Sequence, residues 1–539
     1  MAEAIPIVAD RTEYGPRPES VDAGLAARRI LCVFPRYEPS LGSFEYAYDI
    51  TGSLRAFMPP QGLLVIAASV PKGWTVRFID ENVDPATASD FAWADAVFVS
   101  GMHVQRPRMI DICRRAHAAG KPVVLGGPSV SASPELYPEF DYIHIGEIGD
   151  ATRELFAMLA RDCGRPRRQI RLETRERLPL DQFPIPAYEL VSFKYYFIGS
   201  IQFSSGCPFT CEFCDIPGLY GRVPRMKRPE QIIAELDKLR ACGLSTSVYF
   251  VDDNFIANRR AVRQLIPHLI AWQERHSFPL SFAFEATLNI ANYDDLLADL
   301  RDASFTGIFC GIETPELEAL KHIQKKQNMT RPILEAIDKL NSYGMEVVAG
   351  MIIGLDTDSP DTASRVMSFI DQSNIPMLTM NLLQALPRTP LWDRLEREHR
   401  LTDDPDRESN VVFKMPYDET VAIWRTCLEY AYDPVQLFRR YEYQIRHTHP
   451  HRRKRPPRPD QLTWANLKRG FTMLFKVCWK LGVLADYRRA FWGYAWPRFK
   501  EGRIEEVIAT GIIAKHLITF ARKACAGELN ASHYSAKVR

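Results

Sequence analysis

Ser204-Ser-Gly-Cys-Pro-Phe-Thr-Cys-Glu-Phe-Cys214 sets three cysteines, Cys207, Cys211 and Cys214, inside eight residues as C-x3-C-x2-C. Three thiolates are one short of the closed tetrahedral set that a structural zinc requires, and the next cysteine, Cys242, follows a helix-like stretch. A [4Fe–4S] cluster can be gripped by three cysteines with one iron left open, and the spacing suits that arrangement. Two plainer readings stand beside it: a chance grouping of buried thiols, and a zinc site that borrows a distant fourth ligand.

Outward from the motif, residues 198–203 predict a strand that delivers the cysteine loop at its C-terminal end. Pro229-Glu-Gln-Ile-Ile-Ala-Glu-Leu-Asp-Lys-Leu239 predicts a helix, with proline at its first position, apolar residues at helical spacing and Gly243 just past its end. Further strands at 247–251, 280–286, 307–310, 346–353 and 377–383 alternate with helices. Residues 193–400 therefore predict a partial (β/α)6 barrel, whose working rim is formed by the C-terminal strand ends.

Upstream, apolar runs at 30–34, 75–79, 94–100, 122–125 and 142–145, with helices at 61–70 and 107–119, predict a doubly wound Rossmann-like α/β domain over 29–163. Such sheets bind ligands beyond their C-terminal strand ends. Here those ends carry Gly101-Met-His103, Gly126-Gly-Pro-Ser-Val-Ser131 and Gly146-Glu-Ile-Gly149. Gly101, Gly126, Gly127 and Gly146 would let a backbone approach a flat or bulky ligand. A flavin site, a phosphoryl carrier and a ligand-free domain fit equally at this point. Residues 1–28 read as a loose arm, 164–192 as a Pro- and Arg-rich linker packed on a surface, and 401–539 as a mainly helical domain.

At 539 residues the chain is long enough for about three or four domains. Its 68 Lys and Arg against 66 Asp and Glu leave a net charge of +2, which argues against a polyanion binder and gives no ground for a nucleic-acid partner. Eleven cysteines, odd in number, with no charged-then-apolar leader, fit a reducing cytoplasm. No window reaches the roughly 18 uninterrupted apolar residues that span a bilayer. The expectation is a cytoplasmic protein, with peripheral contact on the inner face of the cytoplasmic membrane left open.

With Phe213 directly before the last cysteine, the motif resembles that of the radical S-adenosylmethionine (SAM) enzymes. The resemblance implies a [4Fe–4S] cluster whose open iron chelates SAM, and chemistry by hydrogen abstraction. It also makes Asp252 and Asp253 in Val251-Asp-Asp-Asn254, Glu285 in Glu285-Ala-Thr-Leu-Asn289 and Glu313 in Gly311-Ile-Glu-Thr314 candidates for holding SAM. Helix caps or rim ion pairs would explain the same residues without a cofactor. Gly350-Met-Ile-Ile-Gly-Leu-Asp-Thr-Asp358 departs from the Gly-Leu-Pro-Gly-Glu-Thr form of related enzymes. Leu386-Pro-Arg-Thr-Pro-Leu391 carries Arg388 where the related segment has glycine.

A Rossmann-like domain ahead of such a core resembles the cobalamin-binding radical SAM methyltransferases (class B), which implies a bound cobalamin. The D-x-H-x-x-G pattern is absent, so no residue is assigned below cobalt, and His103 reads as a loop or contact residue. Phe34-Pro-Arg-Tyr37, Met58-Pro-Pro-Gln-Gly-Leu-Leu64, Phe78-Ile-Asp-Glu-Asn82, Asp215-Ile-Pro-Gly-Leu-Tyr-Gly-Arg222 and Phe250-Val-Asp-Asp-Asn-Phe255 narrow the resemblance to the hopanoid C-2 methylase group. That implies C-methylation of ring A of a membrane triterpenoid, with one SAM to remethylate cobalt and another to make the radical. It also implies a flavodoxin- or ferredoxin-type electron donor. The rivals are a methylase of a tetrapyrrole or natural product, a tRNA-modifying radical SAM enzyme, and a non-catalytic corrinoid or iron–sulfur redox protein.

Beyond residue 400 the period is helical. Arg452, Arg453, Lys454, Arg455 and Arg458 interleave with prolines and should lie at the surface, as a solvated loop or a contact for anionic lipid or nucleic acid. Apolar-rich helices at 471–484 and 507–520, interrupted by Lys476, Lys480 and Lys515 and joined by Trp479, Trp492 and Trp496, fit a basic amphipathic surface lying among lipid headgroups. A helical cap on the barrel fits them as well.

Overall fold

The computed structural model describes residues 26–404, 406–454 and 463–528. Most of the N-terminal arm, and Arg455 and Arg458 of the basic run, lie outside the described residues.

The first sheet is wholly parallel, with β1 (Arg29–Phe34), β2 (Thr75–Asp80), β3 (Ala96–Ser100), β4 (Val123–Gly126), β5 (Tyr142–Ile145) and β6 (Ile170–Glu173) in the order β2–β1–β3–β4–β5–β6. Side chains alternate across a strand, and β1 shows the result. Ile30 and Cys32 pack with Leu63, Trp74 and Leu155 on one face, while Leu31 and Val33 pack with Phe91, Met109 and Ile112 on the other. Both faces are covered, so the strands read as continuous apolar runs. The order reverses between β1 and β3, which puts the switch-point crevice at Pro35 and Gly101.

The stretch 164–192 is more than a linker. It supplies β6, a sixth parallel strand that the sequence reading missed. Its Ile-Arg-Leu-Glu alternation buries Leu172 and leaves charged residues outward, as a short edge strand does, and the surrounding arginines and prolines hid the pattern.

The second sheet is also parallel: β7 (Gly199–Ile201), β10 (Ser247–Phe250), β11 (Ser281–Glu285), β12 (Phe305–Glu313), β13 (Glu346–Ile353) and β14 (Met377–Leu382) lie side by side in sequence order. Phe250, Phe255, Phe282, Phe284 and Phe305 fill its interior, with ring centroids 5.2–5.7 Å apart. Between β7 and β10, the two-residue strands β8 (Ser204–Ser205) and β9 (Arg225–Met226) pair antiparallel. The Pro229–Ala241 helix forms as its punctuation predicts, with Pro229 at the N-terminus and Gly243 at φ +93°.

Helices Tyr417–Ala431, Pro434–His447, Trp464–Trp479, Arg488–Lys500 and Ile504–Cys525 make the C-terminal body. Trp424 Nε1 donates to Met380 O at 3.0 Å, fixing it to β14. Its far side reaches the first domain: His516 accepts from Tyr46 N at 3.3 Å and donates to Ser40 O at 3.0 Å.

Two surface expectations are corrected here. Lys476, Lys480 and Lys515 are not free cations of a headgroup-facing surface; all three converge on Asp49, Lys515 at 2.6 Å from its carboxylate and Lys476 at 3.1 Å from its backbone carbonyl. Arg452 donates to Gly344 O (3.0 Å) and Thr306 O (3.1 Å), and Arg453 to Asp302 O (3.2 Å). Carbonyls just before or at the start of β12 and β13 thus recruit guanidinium donors that composition alone assigns to solvent. Trp492 is likewise no free interfacial ring, since its indole N–H donates to Gly482 O at 2.9 Å.

Candidate active site

β7 ends at Ile201, and the β8–β9 ladder closes the base of a loop that carries all three cysteines. Gly206 opens the loop at φ +94°, where a Cβ would stand 2.9 Å from Gly221 O, so the turn demands glycine. Cys207 N then donates to Gly221 O at 3.2 Å, and Cys214 N to Cys211 O at 3.2 Å. Cys211 is buried and the other two are half-buried. Burial pushes the Cys207 and Cys214 thiols above their ordinary pKa, and the charge of Cys211 adds to both. Among the described residues no three His, Cys, Asp or Glu side chains converge as ligands of a single ion. Cys242 caps the far end of the Pro229–Ala241 helix. A helix that follows a parallel strand returns to the N-terminal edge, so Cys242 stands opposite the cysteine loop and cannot serve as a fourth ligand.

Three buried groups hold the loop from behind. Glu212, between the second and third cysteines, receives Arg394 at 2.6 and 3.1 Å; Arg394 also binds Asp356 at 2.7 Å, and Arg400 binds Asp356 at 2.6 Å. These guanidinium partners hold the Asp356 carboxyl well below the usual range against its burial. The altered 350–358 stretch therefore supports the loop: Asp356 anchors the ion-pair network, and Asp358 accepts from Gly354 N (2.7 Å) and Leu355 N (3.0 Å). Gln327 Nε2 donates to Cys211 Sγ at 3.2 Å, and Lys325 Nζ lies 5.6 Å from the centre of the Phe213 ring.

The four SAM-candidate carboxylates divide into two kinds. Asp252, 1% exposed, accepts from the amides of Phe203 and Ser204, and Glu313 is paired with Lys325. Both are engaged inside the protein, Asp252 by backbone amides and Glu313 by an ion pair. Asp253 accepts from Gly206 N at 2.7 Å and Glu285 from Tyr249 Oη at 3.1 Å; both remain half-buried on the rim. Burial pushes Asp252 and Glu285 up to about 7, with neighbouring carboxylates contributing, and Asp253 up to about 6, with Glu147 and Asp215 contributing. A rim where carboxylates raise one another fits a cationic guest, such as the ammonium and sulfonium groups of SAM.

The first domain faces this loop. Glu147, after β5, accepts from Arg225 (2.7 Å) and from Ser205 Oγ (3.3 Å), and pairs with Arg177 (3.3 Å). Arg177 in turn donates to Tyr220 O (2.8 Å) and Leu219 O (2.9 Å) of the cysteine loop. Gly101, Gly126, Gly127 and Gly146 all lie at the C-terminal ends of β3, β4 and β5, on the edge turned toward the barrel. Gly101 and Gly127 abut protein atoms, Met109 and Pro35 for one and Ser100 for the other, whereas the space at Gly126 is open to 3.7 Å. Met102, at the switch point, is 47% exposed. Strand ends opposite the cysteine loop, with space at Gly126 and an exposed Met102, fit a corrinoid.

Comparison with known proteins agrees with this arrangement. Residues 49–156 match the B12 binding domain, 201–370 the radical SAM superfamily, and 389–530 a domain of unknown function (DUF4070). The hopanoid C-2 methylase of Rhodopseudomonas palustris (strain TIE-1) is 56% identical over 518 residues, 96% of this chain and 98% of that protein. The chain belongs to the hopanoid C-2 methylase group of cobalamin-binding radical SAM methyltransferases. An uncharacterized methyltransferase of Synechocystis sp. (strain ATCC 27184 / PCC 6803 / Kazusa) is 36% identical over 87% of each chain. The cobalamin-dependent SAM radical enzyme OxsB shares the fold at TM-score 0.58 and 13% identity, covering 94% of this chain and 81% of its own. The methyltransferase TsrM of Kitasatospora setae does so at TM-score 0.51 and 17% identity, covering 71% and 79%.

As in that family, the cofactors are a [4Fe–4S] cluster, SAM and cobalamin. Sequence reasoning missed Glu147, Arg225, Lys325, Gln327 and the Glu212–Arg394–Asp356 network. Glu212 carried a weak signal, a charge inside the cysteine motif; the others meet partners up to 182 residues away and leave no local pattern.

Proposed function

We propose that this enzyme transfers a methyl group to an unactivated carbon of a membrane triterpenoid, C-2 of hopanoid ring A. The identity to the Rhodopseudomonas palustris methylase, which runs through all three regions of the chain, carries this reading. When bound, the cluster, SAM and cobalamin supply hydrogen abstraction and a transferable methyl group.

The chain's own residues provide position. Cys207, Cys211 and Cys214 hold the cluster, with Glu212 and Arg394 keeping their loop in one conformation. Asp253 and Glu285 face the cationic portions of SAM. Glu147 clamps the corrinoid domain over the loop. A one-electron reductant of the flavodoxin or ferredoxin type completes the system, and a lipid substrate requires access to a bilayer surface. Among the described residues no helix is long and apolar enough to cross a membrane.

The test is anaerobic turnover of the reconstituted enzyme with SAM, cobalamin, a reductant and a desmethyl hopanoid. The expected product gains one methyl on ring A, and Cys211→Ser yields neither product nor 5'-deoxyadenosine. Methylation of a tetrapyrrole in place of the hopanoid would overturn the substrate; equal iron in Cys211→Ser and parent would overturn the cluster site.

A further inference from the structure

The Trp464–Trp479 helix runs on without a break into the π-helical turn Lys480–Leu484. Its inner side is fixed to the body. Val477 and Leu481 are fully buried, Gly511 makes room for Val477, and Lys476 and Lys480 reach Asp49. The opposite side carries Trp464, Leu467, Phe471, Phe475, Trp479 and Val483, at intervals of three and four residues, and their exposures run from 49% to 82%. That spacing places all six on one face. At 1.5 Å per residue the stripe is roughly 30 Å long, and Trp496 on the Arg488–Lys500 helix is a further exposed ring, 57% exposed. Soluble proteins rarely leave so continuous a row of large apolar side chains uncovered without a binding role.

Charge identifies what covers it. Between residues 463 and 500 there are eight Lys or Arg and one acidic residue, Asp486. Lys476 and Lys480 are held by Asp49 and Arg498 by Glu442, which leaves Lys468, Arg469, Arg488, Arg489 and Lys500 exposed. Lys468 lies one turn from Trp464 and Phe471, on the stripe itself. An apolar ridge with tryptophans along it and exposed cations beside it matches an interfacial helix, whose apolar side chains enter the acyl boundary while the basic ones meet phosphates. A protein partner buried on such a ridge would have to supply a matching acidic rim, whereas an anionic bilayer supplies one everywhere.

We propose that the Trp464–Leu484 face docks the enzyme on an anionic lipid bilayer, its axis in the plane of the headgroups. The proposal rests on the reading of the substrate as a membrane lipid, and it gives that substrate a route that needs no extraction through water. The lysines that composition pointed to are not the contact; Phe471, Phe475 and Lys468 are.

Co-sedimentation of the full-length holoenzyme with phosphatidylcholine vesicles, with and without phosphatidylglycerol, tests it. The parent is expected to bind the anionic vesicles and to lose binding as salt rises. Phe471→Ser/Phe475→Ser should lower partitioning on the order of 100-fold. Lys468→Gln/Arg469→Gln should lower it about 30-fold on anionic vesicles only. All four side chains lie at the surface, and iron content and sedimentation coefficient confirm that the variants are intact. Equal binding by parent and variants, or no binding by the parent, overturns the proposal; so does a parent dimer that Phe471→Ser/Phe475→Ser converts to monomer without vesicle binding, which would make the stripe a subunit interface. Methylation of detergent-dispersed hopanoid by the parent reads the substrate separately. Vesicle binding without such turnover refutes the substrate alone, and turnover without vesicle binding refutes the docking face alone.

Discussion

At the scale of single residues, the cysteine loop meets side chains from distant segments of the chain. Gln327, 5% exposed, aims an N–H at Cys211 Sγ, and hydrogen bonds to cluster sulfurs raise reduction potential by stabilising the added negative charge. Gln327→Leu should therefore assemble a full cluster with a lower potential, read by a redox titration followed by EPR; an unchanged potential would show that the contact does not tune the cluster. Arg388 stands at φ +63°, and it is exposed. A non-glycine residue in this region costs about 1–2 kcal/mol, partly offset by the greater unfolded-state freedom of glycine. Arg388→Gly should stabilise the fold by about 0.5–1 kcal/mol in chemical denaturation, and a destabilised variant would mean that the side chain makes a contact worth more than the strain.

At the scale of elements, the Ile504–Cys525 helix is tied to the first domain by Lys515, which reaches Tyr46 O and Asp49, and by a neutral imidazole. His516 is fully buried; its Nδ1 accepts from Tyr46 and its Nε2 donates to Ser40, so a second proton would set N–H against N–H. Burial lowers its pKa from 6.5 to about 4. Between those values the unfolded chain holds one more proton than the folded one, so this residue's contribution rises with pH and is lost as pH falls from 6.5 toward 4. The loss amounts to on the order of 3 kcal/mol. His516→Gln should be less stable at neutral pH yet show a shallower decline over that window when unfolding is followed pH by pH. Parallel declines would remove His516 as the cause.

At the scale of the whole molecule, the first domain meets the cysteine loop through Glu147. Its carboxylate is 12% exposed and serves both Arg225 and Arg177. Removing it takes the carboxylate from two guanidinium groups that keep only neutral acceptors, and breaking such a pair costs about 3–5 kcal/mol when it is buried, less here because Arg177 is 36% exposed. Glu147→Ala should keep cluster and SAM cleavage but loosen the corrinoid domain, so that more 5'-deoxyadenosine forms per methylated product. A ratio equal to that of the parent would show that domain apposition rests on other contacts. The Asp49 contact with Lys476, Lys480 and Lys515 closes the assembly from the other side, so the C-terminal body bridges first domain and barrel.

Local chemistry decided much of this protein in advance. The C-x3-C-x2-C count and spacing, the period-two and helical apolar patterns and the Pro229 and Gly243 punctuation depend on neighbours in the chain, and from them both parallel sheets and the loop that brings the three cysteines to the end of β7 were legible. Long-range pairing decided the rest. Asp252 and Glu313 are turned inward by partners that no spacing reveals, β6 emerges only when β5 offers it an edge, and Lys476, Lys480 and Arg452 find acceptors, Asp49 for the lysines and backbone carbonyls for the arginine, that composition could not locate. Electrostatic and hydrogen-bond partners are chosen by proximity in three dimensions, whereas strand, helix and cysteine spacing are written in one.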